Sequence, residues 1–150
     1  MSTEPIEIRH LQPDDYSQWL FLWDGNNQGH KNSDVTAETW NRLMLPIFPV
    51  HGLGAFREGK MAGLLHYILH PVTGHIDPVC YMQDVYVDPS YRRQGTARAL
   101  VAALSNIGAK EGWARIYWLA ENDNIPAQNL YKNTGVKLDF SLHILPISHF

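Results

Sequence analysis

The chain has 150 residues, 45% of them apolar and 18% charged, and a formal net charge of −3. That is the length of one domain, spanning 1–150, and the composition of a folded chain rather than a disordered one. A single cysteine, Cys80, excludes an internal disulfide framework and a cysteine-based zinc site, and no block of five or more Lys or Arg supports a nucleic-acid partner.

The longest apolar runs, 43–50 with two prolines and 61–69 with Gly63 and His66, fall short of the ~20 residues of a membrane span. The first ten residues carry Glu4, Glu7 and Arg9 and no apolar stretch of the kind a secretory signal needs. The expected setting is the reducing cytoplasm, with no membrane partner.

In chain order, Pro5–Leu11 alternates as a short strand, and Asp14 or Asp15 is expected to cap a helix through about Trp23. The Asn- and Gly-rich stretch Asp24–Asp34 reads as a loop, and Thr36–Leu45 as a second helix stopped by Pro46. Gly54–Arg57 and Met61–His70 read as a hairpin across Glu58-Gly59-Lys60, followed by a strand at Val79–Val87. Thr96–Lys110 is the clearest helix, with Ala97, Leu100, Val101, Leu104 and Ile107 at helical spacing. Arg115–Ala120 is a strand, Pro126–Asn133 a short helix with Asn124 as N-cap, and Lys137–Leu145 a closing strand. The order β-α-α-β-β-β-α-β-α-β predicts an α/β (α+β) fold: a mixed, mostly antiparallel sheet flanked by helices.

The chemistry concentrates between the strand Val79–Val87 and the helix that follows. Arg92-Arg93-Gln94-Gly95-Thr96-Ala97 opens that helix, where a glycine lets the backbone approach a ligand and unpaired N–H groups favour an anion. Arg92, Arg93 and Arg98 add positive charge, and together they suit a diphosphate. The lysine of a Walker loop and the three glycines of a dinucleotide fingerprint are missing.

Two stretches here resemble the GNAT acetyltransferases. Residues 81–89 with 91–100, from Tyr81-Met82-Gln83-Asp84 through Ala99-Leu100, look like that family's motif A, and Asn124 through Tyr131 looks like its motif B. The resemblance covers about 81–136, is nearest the spermidine/spermine and small histone-acetyltransferase-like branch, and implies the GNAT acyl-CoA fold. It implies that the backbone of Val85, Tyr86 and Val87 pairs with the pantetheine arm of acetyl-CoA. The amides of Arg93, Gln94, Gly95, Thr96, Ala97 and Arg98 would hold its pyrophosphate, and Asn124 its arm. Tyr131 would protonate the departing thiolate. Homodimers are common in this branch, and Leu138, Phe140, Leu142 and Ile144 would put an apolar face on the last strand.

Transfer to an amine needs that amine neutral, which at pH 7 costs about 4.6 kcal/mol for a group with pKa ~10.4. In the polyamine branch a glutamate commonly sits where this chain has Gln83, and glutamine cannot take a proton. Asp84 faces the other way on a regular strand, unless a bulge re-aims it. It is the carboxylate expected near the amine; a structural acid at Asp84, a water relay ending at Glu121, or a backbone carbonyl are alternatives. Gln83 and Trp23 are the expected substrate contacts. Tyr16, Trp19 and Trp23 read either as core packing or as the wall of an amine cleft, since aromatic faces attract cations. His66 and His70 share a strand face, but without clustered acids they do not suggest a metal. Cys80 reads as a small buried hydrophobe.

The expected function is acetyl-CoA-dependent N-acetylation of a small primary amine, polyamine-like, with a protein lysine less favoured. The alternative is a non-catalytic acyl-CoA-binding module.

Overall fold

The computed structural model describes residues 5–120 and 135–147. The chain groups into two compact units, Met1–Leu119 and Ala120–Phe150.

In the first unit, β1 (Glu7–His10) leads through a 3-10 turn into α1 (Tyr16–Asn26) and α2 (Ser33–Met44). Strands β2 (Val50–Arg57), β3 (Lys60–His70) and β4 (Val79–Val87) follow, then α3 (Thr96–Glu111) and β5 (Arg115–Tyr117). The five strands lie in sequence order; the first three pairings are antiparallel and β4–β5 is parallel. This is the expected mixed sheet. The β2–β3 hairpin closes on Glu58 and Gly59, with φ of 51° and 79°, the two left-handed residues that match the strands' twist.

Register places the helices. Leu64 and His66 point to one face, where α1 brings Trp19 into contact with His66; Gly63 points to the other, where an added Cβ would meet Thr96 and Leu100 of α3 at 3.1 and 3.2 Å. With both faces covered, residues 52–57 of β2 and 61–67 of β3 are buried without alternation. The core on the α1 face is aromatic: Trp19 and Trp23 stack at 5.4 Å and Trp40 lies 4.8 Å from Trp19, above Leu22, Phe56, Met61 and Leu64.

Several local expectations change. Asp15 does not cap α1 with its side chain; its carboxylate takes two hydrogen bonds from Arg9 at 2.7 and 3.0 Å and one from the Gln12 amide. A buried carboxylate beside a guanidinium gains more there than at a helix end. Helix α1 runs on to Asn26, carrying Gly25 against Tyr86, and α2 starts at Ser33, where the Asn32 side chain accepts from the Val35 amide. Strand β2 starts at Val50 rather than Gly54, with Leu11 packed over Gly52. In the second unit, residues 136–147 form no helix or strand, so the strand expected at Lys137–Leu145 is not made there. Alternation names a face, but a strand exists only where another edge supplies its ladder. The expected helix Pro126–Asn133 lies outside the described residues.

Acid should weaken this fold in two stages. Burial, with the nearby His10 charge, lowers the pKa of His51 from 6.5, so below about 6.5 the unfolded chain binds the proton first and stability falls. The Arg9 hydrogen bonds hold Asp15 below its ordinary 3.8, so its stabilisation is present above that value and is lost as pH drops through the lower folded value. Denaturant midpoints at pH 8, 5 and 3.5 check this; equal midpoints at pH 8 and 5 would count against the His51 stage.

Candidate active site

The site begins where β4 and β5 part. β5 pairs with β4 only over Val79–Tyr81, whereas β3 stays paired through Val87. The outer edge of β4 beyond Tyr81 therefore has no strand partner among the described residues. Val87 is partly used, since its carbonyl accepts from Arg92 Nε at 3.1 Å.

Beyond β4, the turn into α3 makes an anion cradle. Arg93 and Gly95 adopt φ of 63° and 78°, and Gly95, with no side chain, is the N-cap of α3. Gly95 lies in the left-handed region, which L side chains rarely adopt, and leaves no capping group. Among the described residues, the amides of Arg93 through Arg98 donate to no protein acceptor. Gln94 Oε1 and the buried Thr96 Oγ1 are also without partners. Buried Arg57, at the end of β2, donates to the Gln94 carbonyl at 3.1 Å and pins the turn from below. Arg93 and Arg98 are exposed at the rim, as is Arg92, which lies 5.6 Å over the Tyr86 ring; Ala97 is half-buried. Unsatisfied amides at a helix start with arginines around them fit a diphosphate.

Next to the cradle, β4 carries one extra residue. Asp84 pairs with His66 and Met82 with Tyr67, so Gln83 is inserted without a partner. The insertion reverses the alternation: Tyr81 and Asp84, paired with Ile68 and His66, lie on one face although they are three apart. Asp84 thus faces α1. His66 Nδ1 meets its Oδ2 at 2.9 Å and Asn26 Nδ2 donates to its Oδ1 at 3.2 Å. Burial pushes the Asp84 pKa up, but the His66 and Asn26 interactions outweigh it and the net shift is downward from 3.8. The carboxyl is ionised at neutral pH and its side chain keeps 23% exposure. Tyr81 stacks on Tyr117 at 5.0 Å, and burial, Tyr117 and Asp84 together raise its pKa.

Among the expected substrate contacts, Gln83 is exposed in the bulge. Trp23 is buried, stacked on Trp19, and its indole N–H donates to Thr36 Oγ1 at 2.9 Å. Packing took it because α1 lays that stripe onto β3. Cys80 is buried, its thiol pushed up to about 12, which suits a core residue. Glu121, Asn124 and Tyr131 lie outside the described residues. Trp19 was expected as core packing or cleft wall; His66, Asn26 and Arg57 were not expected beside Asp84 or the turn into α3. Nothing local marks them, because each acts only once a helix or turn is laid against it.

A strand that parts from its parallel neighbour and runs into an uncapped, arginine-rimmed helix start is the arrangement that the GNAT resemblance implies for an acyl-CoA-binding transferase. The sequence profile of the Acetyltransferase (GNAT) family matches residues 7–136, and the chain belongs to that family and is an N-acetyltransferase. It is 29% identical over 149 residues to a D-amino-acid N-acetyltransferase of Saccharomyces cerevisiae, covering 95% of this chain and 92% of that one. It is 30% identical to a thialysine N-epsilon-acetyltransferase of Caenorhabditis elegans, covering 87% and 88%. In fold it is similar to a possible acetyltransferase of Clostridium difficile 630, with TM-score 0.84, 22% identity and coverage of 97% and 100%. The aminoglycoside N-acetyltransferase AAC(6')-Iy in complex with CoA is also similar, with TM-score 0.82, 19% identity and 97% coverage of both chains.

If the cradle takes CoA, acetyl-CoA at a hundred times its Kd should stabilise the fold by about 2.7 kcal/mol. No thermal shift at millimolar CoA or acetyl-CoA would remove the cradle reading.

Proposed function

We propose that the protein moves the acetyl group of acetyl-CoA to a primary amine of a small cationic metabolite. A polyamine-like or basic amino-acid acceptor fits better than a protein lysine. The observation that carries this is the Gln83 bulge, which turns an ionised Asp84 onto the face beside the splayed β4 edge. The curated relatives support a small acceptor, since both act on amino-acid-type amines by their names.

Acetyl-CoA supplies an acetyl group activated as a thioester. The amides of Arg93–Arg98 hold its pyrophosphate, and the free edge of Val85–Val87 holds its pantetheine arm and polarises the carbonyl. Asp84 receives the acceptor's ammonium. It is not the final proton acceptor: its pKa lies below 3.8 and the ammonium near ~10.4, so direct transfer is uphill by about 9 kcal/mol or more. Asp84 places the amine, and the proton leaves to water. Tyr131 protonates the departing thiolate, with Asn124 on the cofactor arm; both roles come from the motif-B resemblance.

Thiol release from acetyl-CoA with a panel of diamines, basic amino acids and a lysine peptide tests the reading. Turnover with a diamine or basic amino acid is expected; turnover with the lysine peptide alone would overturn the small-acceptor reading.

The assembly proposed with it is a homodimer. Leu138, Phe140, Leu142 and Ile144 are 61%, 84%, 67% and 77% exposed in a segment that forms no strand. A second copy would cover them and supply the missing ladder. Light scattering at micromolar protein is expected to give twice 17.1 kDa; a mass of 17.1 kDa overturns it.

A further inference from the structure

Trp19 and His66 are fully and almost fully buried, at 0% and 3% exposure, and neither faces the cradle. They nonetheless form a continuous polar chain to Asp84. Trp19 Nε1 donates to His66 Nε2 at 3.0 Å, and His66 Nδ1 lies 2.9 Å from Asp84 Oδ2.

An indole N–H can only donate, so the Nε2 atom it meets must be an unprotonated acceptor. The ring proton then sits on Nδ1, pointed at the carboxylate. A neutral imidazole with that tautomer can give Asp84 one hydrogen bond and cannot carry a proton onward, because its other nitrogen is occupied. The ring is held in place as well: Trp19 lies 6.1 Å and Trp23 5.6 Å from it, and β3 fixes its backbone opposite Asp84. Asn26, from the end of α1, fixes the second carboxylate oxygen. Tyr81 is the titratable neighbour on β4 itself.

We propose that Trp19 and His66 are a positioning pair for the acceptor amine: Trp19 sets the tautomer of His66, and His66 fixes the Asp84 carboxylate on the face beside the free edge of β4. This rests on the assignment of Asp84 as the ammonium anchor. The bulge brings the carboxylate to the face, and the pair selects one rotamer of it. The amine is then met by a carboxylate already desolvated and oriented, so little is lost to reorganisation on binding. The chain of three side chains comes from α1, β3 and β4, so the packing of α1 is coupled directly to the acceptor site.

Nitrogen NMR of the histidine rings in the whole protein reads the tautomer without any assay. The expected result is a protonated Nδ1 and an unprotonated Nε2 for His66 at pH 7; a proton on Nε2 overturns the proposal. Kinetics read the positioning. His66→Leu is expected to raise the KM for the amine roughly 10-fold or more, with kcat much less affected and the KM for acetyl-CoA unchanged. His66→Asn, which keeps a donor close to the Nδ1 position, is expected to recover most of that loss. In His66→Leu the Asp84 carboxyl, followed by carbon NMR, should titrate at higher pH, because burial is no longer offset. A packing role alone would lower stability in both variants and leave the amine KM, the rescue and the carboxyl titration unmoved. If Asp84→Asn itself leaves the amine kinetics unchanged, the anchor reading and this proposal fall together. If Asp84→Asn is impaired and His66→Leu is not, only the positioning pair falls. Should His66→Leu fail to fold, Trp19→Phe takes its place: His66 is expected to lose its single tautomer, and a spectrum unchanged from the wild type overturns the proposal.

Discussion

Asp84→Asn is expected to lower kcat/KM for the amine by about 10- to 150-fold, the worth of one hydrogen bond to a charged group. The substitution keeps the side chain's shape and removes its charge. It also turns one acceptor oxygen into an NH2 group. His66 Nδ1 and Asn26 Nδ2 both donate to Asp84, one to each oxygen, so in the variant one donor must face another. The ammonium loses its counter-charge and the carboxamide loses its fixed orientation. Acetyl-CoA binding should be unaffected, because the cradle at Arg93–Arg98 lies on the next turn and shares none of these contacts. Steady-state kinetics against the amine, with a thermal shift by acetyl-CoA as control, decides it. Unchanged kcat/KM would show that the amine does not meet Asp84, and the carboxylate would return to a structural role.

Tyr131→Phe is expected to have the larger effect, a fall in kcat of roughly 10²–10⁴. A thiolate leaving without a proton is a poor leaving group at neutral pH, and the phenol is the group that motif B offers to supply one. The loss should appear in kcat and not in acetyl-CoA affinity, since one hydroxyl adds little to the binding of so large a ligand. Acetyl-CoA titration alongside turnover separates the two. Equal turnover in the variant removes Tyr131 from the chemistry. With both variants in hand, the two proposed roles are distinguished: placing the amine for Asp84, and releasing the sulfur for Tyr131.

The local readings that held depend on short-range signals. The 3.6-residue spacing of Leu100, Val101 and Leu104 and the glycine at Gly95 placed α3 and its uncapped start within a residue. Glu58 and Gly59 placed the hairpin, because a two-residue turn needs residues that accept left-handed φ. Between them these signals specified the β2–β3 hairpin and the uncapped start of α3.

The setting of Asp84 was decided by tertiary structure. The run Tyr81-Met82-Gln83-Asp84 reads as a regular strand that would send Gln83 and Asp84 to opposite faces. Only the register of β4 against β3, with Gln83 left over, puts Asp84 on the α1 face. Trp23 could be read as core or as a cation-facing wall, and it packs in the core because α1 lays Trp19 and Trp23 together on the sheet. His66 read as sharing a strand face with His70, and its partners Trp19 and Asp84 come only from the packing of α1 and the register of β4. Sequence determined what local backbone chemistry can dictate: the β2–β3 turn, the start of α3 and the arginine-rimmed turn before it. Which face the Asp84 carboxylate takes, and what holds it there, depends on residues 18 to 65 positions away in the chain, and such contacts have no periodicity to read.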